Sequence, residues 1–190
     1  MPDGSPITNG PWVRRSRRVA YENAWITVWH DEVARPDGEP GIYGLVHYAN
    51  QASGILAIDE WDRVLLVGQH RYALDRYSWE IPEGGVPAGE AILEGAQREL
   101  REETGLVAAT WRELARADLS NSVSDEVATI FLATDLIEGP ASPEGTEDLA
   151  SRWVPFAEAL AMTLDGRITD AISIIAIQRL ALIRSGVAGR

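Results

Sequence analysis

Residues 84–107, "GGVPAGEAILEGAQRELREETGLV", contain a predicted helix that gathers glutamates at its C-terminal end. The pattern predicts a helix from about Glu90 to Thr104, and Gly105 fits its C-terminal cap because glycine adopts the left-handed conformation at little cost. Gly95 lies in the helix interior, where glycine costs up to about 1 kcal/mol, and either close packing or simple tolerance explains it. Three apolar residues recur at every fourth position and should face the core: Ile92, Ala96 and Leu100.

Three glutamates, Glu99, Glu102 and Glu103, converge on one face of this helix because residues three and four apart are neighbours. Two of their pairs repel by roughly 0.2–0.5 kcal/mol each, and the helix dipole disfavours each anion in the last turns by roughly 0.3–1 kcal/mol. A hard divalent cation would relieve both effects, since carboxylate oxygens suit Mg²⁺. The alternative interpretation is a solvated acidic face.

The composition limits the classes of partner. The chain has 190 residues, of which 45% are hydrophobic, and this is enough for one good core. It has 29 Asp and Glu against 17 Lys and Arg, and the net charge of -12 opposes a nucleic-acid partner. A phosphorylated substrate therefore needs a cation between itself and the acidic site. No cysteine is present, so disulfides and thiolate metal sites are excluded.

The organisation of the chain follows from its turns and apolar patterns. Residues 1–11 are rich in Gly and Pro and are expected to be loose. We expect residues 12–50 to form a small antiparallel β appendage and residues 51–190 to form the main domain. Strands mixed with two or three helices predict an α/β sandwich. The longest apolar stretch, "AISIIAI", is too short to span a bilayer, and the stretch "MPDGSPITNGPWVRRSRR" lacks the apolar core of a signal peptide. We therefore expect a soluble cytoplasmic protein with no membrane partner.

The spacing of the helix and its flanks matches a known motif. From Gly84 through Glu90 to Leu106, every position of the Nudix box, G-x5-E-x7-R-E-U-x-E-E-x-G-U with U an aliphatic residue, is filled. The chain thus resembles the Nudix hydrolases, and this match outweighs the solvated-face interpretation. The resemblance implies an α/β/α sandwich with a mixed sheet, the N-terminal β appendage, and Mg²⁺ or Mn²⁺ for hydrolysis of a nucleoside diphosphate linked to another group.

The resemblance also implies roles for residues of the box, carried over by position. Glu99, Glu102 and Glu103 are the expected metal ligands, and Glu103 is also expected to be essential for catalysis. The main-chain carbonyl of Glu83, just before the first box glycine, is an expected additional ligand. Arg98 is expected to orient the glutamates through charge-assisted hydrogen bonds.

The flanks of the box narrow the resemblance. The stretches "VLLVGQHRYALDRYSWEIPEGG" and "GRITDAISIIAIQRLAL" are similar to the ADP-ribose and nucleoside diphosphate sugar hydrolases. This similarity implies that Arg71 contacts a phosphate or terminal sugar of the substrate; the alternative is an exposed arginine with no role. Glu80 either joins the metal and substrate site or is solvated.

Two loops after the box bear on substrate and catalysis. "SNSVSDE", residues 120–126, keeps the Ser-Asp-Glu end of a subfamily element, so Glu126 is a candidate substrate residue, but Asn121 and Ser122 replace the family's proline and glycine. This departure weakens the case for strict ADP-ribose preference and leaves GDP-mannose open. The resemblance places the general base in the loop "SPEGTEDLASRWVP", where Glu147 is the first candidate and Glu144 its rival.

The expected reaction is attack of water on the pyrophosphate of a nucleotide sugar, giving a nucleoside monophosphate and a sugar phosphate without a covalent enzyme intermediate. The alternatives are hydrolysis of nucleoside triphosphates or dinucleoside polyphosphates by the same box, or a regulator that binds nucleotide sugars. The intact glutamates oppose the regulator.

The N-terminal appendage is aromatic and predicts a homodimer. It is too small to bury all of its large aromatic residues by itself, and aromatic residues are enriched in interface cores. Members of the resembled subfamily dimerise through an N-terminal sheet, which implies that Trp25 or Trp29 could stack on the base across the interface. The alternative is that the appendage folds back onto its own catalytic domain. The aromatic residues on which the prediction rests are Trp12, Trp25, Trp29, Tyr43 and Tyr48.

Overall fold

A computed structural model describes residues 7–139 and 150–187. The chain divides into two compact units, the first made of residues 1–50 and 118–127 and the second of residues 51–117 and 128–190. The first unit is therefore discontinuous in sequence. The predicted main domain, residues 51–190, includes residues 118–127, which the structure groups with the first unit.

The first unit is a sheet of four strands in the order β1-β2-β3-β4. Its strands pair antiparallel, and β1 pairs with β2 from Ile7 opposite Arg14 to Asn9 opposite Trp12. The expectation of a loose segment through residue 11 is therefore wrong for residues 7–11, because Gly10 at φ +57° permits the tight turn between the two strands. The strands are β1 (Ile7–Asn9), β2 (Trp12–Glu22), β3 (Ile26–Ala34) and β4 (Pro40–Tyr48).

Residues 118–127 extend this unit at the free edge of β4. The Val46 N–H donates to Val123 O at 2.8 Å, and the Tyr43 hydroxyl donates to Ser122 O. The Asp125 carboxylate accepts from the Tyr48 N–H at 3.1 Å and lies 2.6 Å from His47 Nδ1. The segment groups with the N-terminal sheet because these bonds satisfy backbone groups that an edge strand would otherwise expose.

The second unit holds two sheets, in the orders β8-β5-β10-β9 and β11-β6-β7. β10 runs parallel to β5, whereas β6 is antiparallel to both β7 and β11, so strand directions are mixed as predicted. The strands are β5 (Asn50–Ala57), β6 (Arg63–Arg71), β7 (Arg76–Glu80), β8 (Glu83–Pro87), β9 (Leu106–Asp118), β10 (Val127–Glu138) and β11 (Ala150–Pro155).

Helices cover both faces of β5, which confirms the predicted α/β sandwich. Ile55 and Ala57 join a buried cluster with α1, whereas Gly54, on the opposite face, packs under Ile172 of α3. This alternation follows from the two-residue period of a strand. None of the helices in the described ranges combines the length and apolar character that a membrane span needs. The helices are α1 (Ile92–Thr104), α2 (Phe156–Leu164) and α3 (Ala171–Arg184), with a short 3-10 helix at Tyr72–Leu74.

Helix α1 ends at Thr104 as the sequence predicts, and it begins at Ile92, two residues after the predicted start. Ala96 and Leu100 are fully buried and Ile92 packs against their cluster, and Gly105 caps the helix at φ +71° while its N–H donates to Arg101 O. Gly95 is explained by close packing, since a Cβ there would lie 2.7 Å from Val86 Cγ1 and 3.0 Å from Val86 Cβ. The helix therefore sits close to β8, the strand that leads from the site into α1.

Candidate metal and substrate site

The guanidinium of Arg98 organises the carboxylates of α1. Its Nη1 donates to Glu99 Oε1 at 2.8 Å and to Glu102 Oε2 at 2.9 Å, and its Nη2 donates to Glu90 Oε2 and to Gly85 O at 3.2 Å. Hydrogen bonds to Glu90, and then to Glu99 and Glu102, raise the pKa of Arg98 against the opposing effect of burial. These are the contacts that an orienting role requires.

The start of β8, at Glu83 and Gly84, meets the C-terminal half of α1. The Glu83 N–H donates to Glu103 Oε2 at 3.2 Å. A Cβ on Gly84 would lie 2.6 Å from Glu99 Cγ and closer still to the Glu99 carboxyl group, so only glycine leaves room for that carboxylate. The start of β8 and two glutamates of the box thus bring hard oxygen donors together. Such donors are those that Mg²⁺ and Mn²⁺ prefer, so the residues fit a divalent cation.

A second group of charges surrounds Arg71 at the end of β6. Its Nε donates to both Glu80 oxygens at 3.0 Å, and its Nη2 donates to Glu80 Oε2 and, at 2.5 Å, to Glu83 Oε1. The Glu80 side chain is only 4% exposed, whereas that of Arg71 is 35% exposed. Glu80 is therefore not a solvated residue, and Arg71 is held from its buried side while its outer side reaches solvent.

Electrostatics distinguish the members of this second group. Burial, together with the negative charges of Asp170 and Glu80, raises the pKa of Glu83 well above its usual value. Burial opposes ionisation of Arg71, but its hydrogen bond to Glu80 and the charges of Glu83, Glu80 and Asp170 raise its pKa overall. Sequence reasoning missed Asp170. The available signal was its position directly before the apolar helix, where it is the N-cap of α3 and accepts from the Ser173 N–H at 2.7 Å.

The substrate candidates of the first unit differ in accessibility. Arg17 Cζ lies 3.9 Å from the centroid of the Trp29 ring, and the His47 ring stacks on the same ring with the two centroids 5.0 Å apart. Arg17 belongs to β2 and His47 to β4, the strands on either side of β3. Trp25, in contrast, is 70% exposed. Burial raises the pKa of Glu126, and burial followed by the charge of Glu126 raises that of Tyr48.

The predicted general base and its rival, Glu147 and Glu144, lie outside the described residues.

Comparison with known proteins gives two family matches on one chain. A NUDIX domain matches residues 49–173, and a nucleoside diphosphate sugar hydrolase N-terminal domain matches residues 12–46. The ADP-ribose pyrophosphatase of Mycobacterium tuberculosis is 33% identical over 176 residues, covering 91% of this chain and 84% of the relative. The CMP-5'-(N-acetyl-N-hydroxy-3-aminopropyl)phosphonate hydrolase of Streptomyces rubellomurinus is 33% identical over 171 residues, covering 87% and 82%.

A solved structure agrees with the fold. The crystal structure of an ADP compounds hydrolase superposes with a TM-score of 0.80 at 21% identity, covering 96% of this chain and 97% of that one. Together with the site geometry, the matches define a hydrolase of phosphorus-containing anhydrides. The chain belongs to the Nudix family and is a Nudix hydrolase.

Proposed function

We propose that this Nudix hydrolase cleaves the pyrophosphate of a nucleoside diphosphate sugar, of the ADP-ribose or GDP-mannose type, to a nucleoside monophosphate and a sugar phosphate. The observation that carries the proposal is the pair of family matches, because the N-terminal match is to a domain of nucleoside diphosphate sugar hydrolases. Two relatives over most of the chain, from Mycobacterium tuberculosis and Bacillus subtilis, are named ADP-ribose pyrophosphatases, which supports the same substrate class.

The residues of the box would hold the cation, Mg²⁺ or Mn²⁺. Glu99, Glu102 and Glu103 supply carboxylate oxygens and Glu83 its main-chain carbonyl, while Arg98 keeps two of the carboxylates in place through the hydrogen bonds described above. When bound, the cation lowers the pKa of the attacking water and neutralises charge on the leaving phosphate oxygen.

Other residues of the chain bind substrate and move the proton. Arg71 binds a phosphate or the terminal sugar through its exposed side, and Glu80 holds the guanidinium in position from beneath. Glu147, or its rival Glu144, accepts the proton of the attacking water as general base. Water forms the new bond to one phosphorus, and the bond from that phosphorus to the bridging oxygen breaks.

A substrate panel in ¹⁸O-labelled water tests the proposed function. With Mg²⁺ present, we expect ADP-ribose, GDP-mannose or a related nucleotide sugar to be the best substrate, with one label on one of the two product phosphates, measured by mass spectrometry. The label follows from direct attack of water on phosphorus. Faster cleavage of triphosphates or dinucleoside polyphosphates would contradict the substrate class, and tight binding of nucleotide sugars without turnover would favour the regulator.

The same proposal includes a cytoplasmic homodimer, formed through the N-terminal unit and without a nucleic-acid partner. Trp25 is the better candidate to stack on a base, because Arg17 and His47 already cover the Trp29 ring. The partner's Trp25 would wall the nucleoside pocket, and Glu126 would lie near it.

Light scattering on the full-length protein at micromolar concentration tests the assembly. We expect a mass of twice 20.8 kDa. The exposed Trp25 is the reason, since aromatic residues of this size are enriched in interface cores. A fully active monomer would contradict the dimer without affecting the proposed chemistry.

A further inference from the structure

Three carboxylates that the box does not supply converge in the second unit. Glu80 ends β7, Glu83 begins β8, and Asp170 is the N-cap of α3. One carboxylate oxygen from each lies within 4.8 Å of the other two. Carboxylate oxygens at such separations can ligate one hard cation, which needs only one or two carboxylates when it retains waters.

The charges of this group do not balance. Arg71 is the cation that pairs with Glu80 and Glu83 among the described residues, and it contributes one positive charge against three carboxylates. Fully ionised, the group would carry two net negative charges where Glu80 is almost completely buried. Buried charge is costly unless it is paired, so the group favours a further positive charge.

One carboxylate oxygen of this group, Glu83 Oε2, is buried without a hydrogen-bond partner among the described residues. Glu83 Oε1, in contrast, accepts from Arg71. A buried acceptor without a partner costs about 1–3 kcal/mol, and more when it is charged. Arg71 therefore satisfies Glu83 Oε1 but not Glu83 Oε2.

We propose that the side chains of Glu80, Glu83 and Asp170 form a second site for a hard divalent cation, distinct from the ligand set that the α1 glutamates and the Glu83 main-chain carbonyl supply. The cation ligates Glu83 Oε2 and offsets the negative charge of the three carboxylates that Arg71 alone does not neutralise. This site goes beyond the proposed pyrophosphate cleavage, since its occupancy depends on these three side chains and not on the substrate.

Counting bound Mn²⁺ by electron paramagnetic resonance, on full-length protein without substrate, tests this site. Asp170→Asn removes a charge from the group but keeps a good N-cap for α3, so the fold is preserved. We expect Asp170→Asn to bind one Mn²⁺ fewer per chain than the wild type. Asp165→Asn, which changes an exposed aspartate in the turn before α3, should bind the wild-type number.

A folded Asp170→Asn protein that binds as many Mn²⁺ ions as the wild type overturns the site. If that variant does not fold, Glu83→Gln gives the same test, because it keeps the main-chain carbonyl of Glu83 and changes only the side chain. A wild-type Mn²⁺ count in Glu83→Gln overturns the site equally. Because no substrate is present, failure of this test is distinct from failure of the proposed function.

Discussion

Glu103→Gln lowers kcat by about 100-fold or more while the melting temperature of the metal-free protein changes little. A bound metal ion supplies several kcal/mol of transition-state stabilisation, and each ~1.36 kcal/mol is a factor of ten in rate. Glutamine retains an oxygen that can accept from the Glu83 N–H, so the local hydrogen bond survives while the charge is lost. Steady-state kinetics with Mg²⁺ and a thermal melt measure the two quantities.

The matched control is Glu94→Gln, because Glu94 is an exposed glutamate in the first turn of α1. It should lose only a few tenths of a kcal/mol of stability, from the helix dipole, and retain wild-type turnover. Millimolar Mg²⁺ should raise the melting temperature of the wild type and of Glu94→Gln, but raise that of Glu103→Gln less. Near wild-type kcat in Glu103→Gln would remove Glu103 from the catalytic site.

Gly84→Ala should raise the Mg²⁺ concentration that activity requires without unfolding the protein. A Cβ at this position would overlap the Glu99 carboxyl group. That group is the far end of a flexible side chain, so it can move aside at little cost in stability, but it then leaves the position where Arg98 holds it. The expected result is a tenfold or greater rise in the Mg²⁺ concentration needed for activity. The free energy of unfolding should fall by about one tenth or less.

Gly44→Ala is the control for the same substitution, because a Cβ on Gly44 meets nothing within 4 Å. It should leave both the Mg²⁺ dependence and the melting temperature close to wild type. If Gly84→Ala has the Mg²⁺ dependence of Gly44→Ala, the close approach of Glu99 to Gly84 has no role in metal binding.

Local features of the sequence were sufficient to predict helix α1. The spacing of apolar residues identified its buried face, and Gly105 identified its end, because helical periodicity and capping depend on neighbours within a few residues. The motif also indicated the family, since its spacing reflects one helix and the turn before it.

Contacts between distant residues were beyond the same reasoning. Asp170 joins Glu80 and Glu83 only because α3 begins beside the turn between β7 and β8, and nothing in residues 80–83 signals a carboxylate some ninety positions later. The role of Gly95 was likewise undecided, because it depends on Val86 in another element. Accessibility of Trp29 depends on side chains from two neighbouring strands.

The bonds between β4 and residues 118–127 set an order for biosynthesis. Their partners lie 77–79 positions apart, so β4 emerges from the ribosome long before the segment that completes its hydrogen bonds. At a synthesis rate of about 5–20 residues per second, the edge of β4 lacks these hydrogen-bond partners for roughly 4–16 s. Contacts between residues so far apart in sequence form late, so the edge of the N-terminal sheet gains its hydrogen bonds only after all of α1 has been translated.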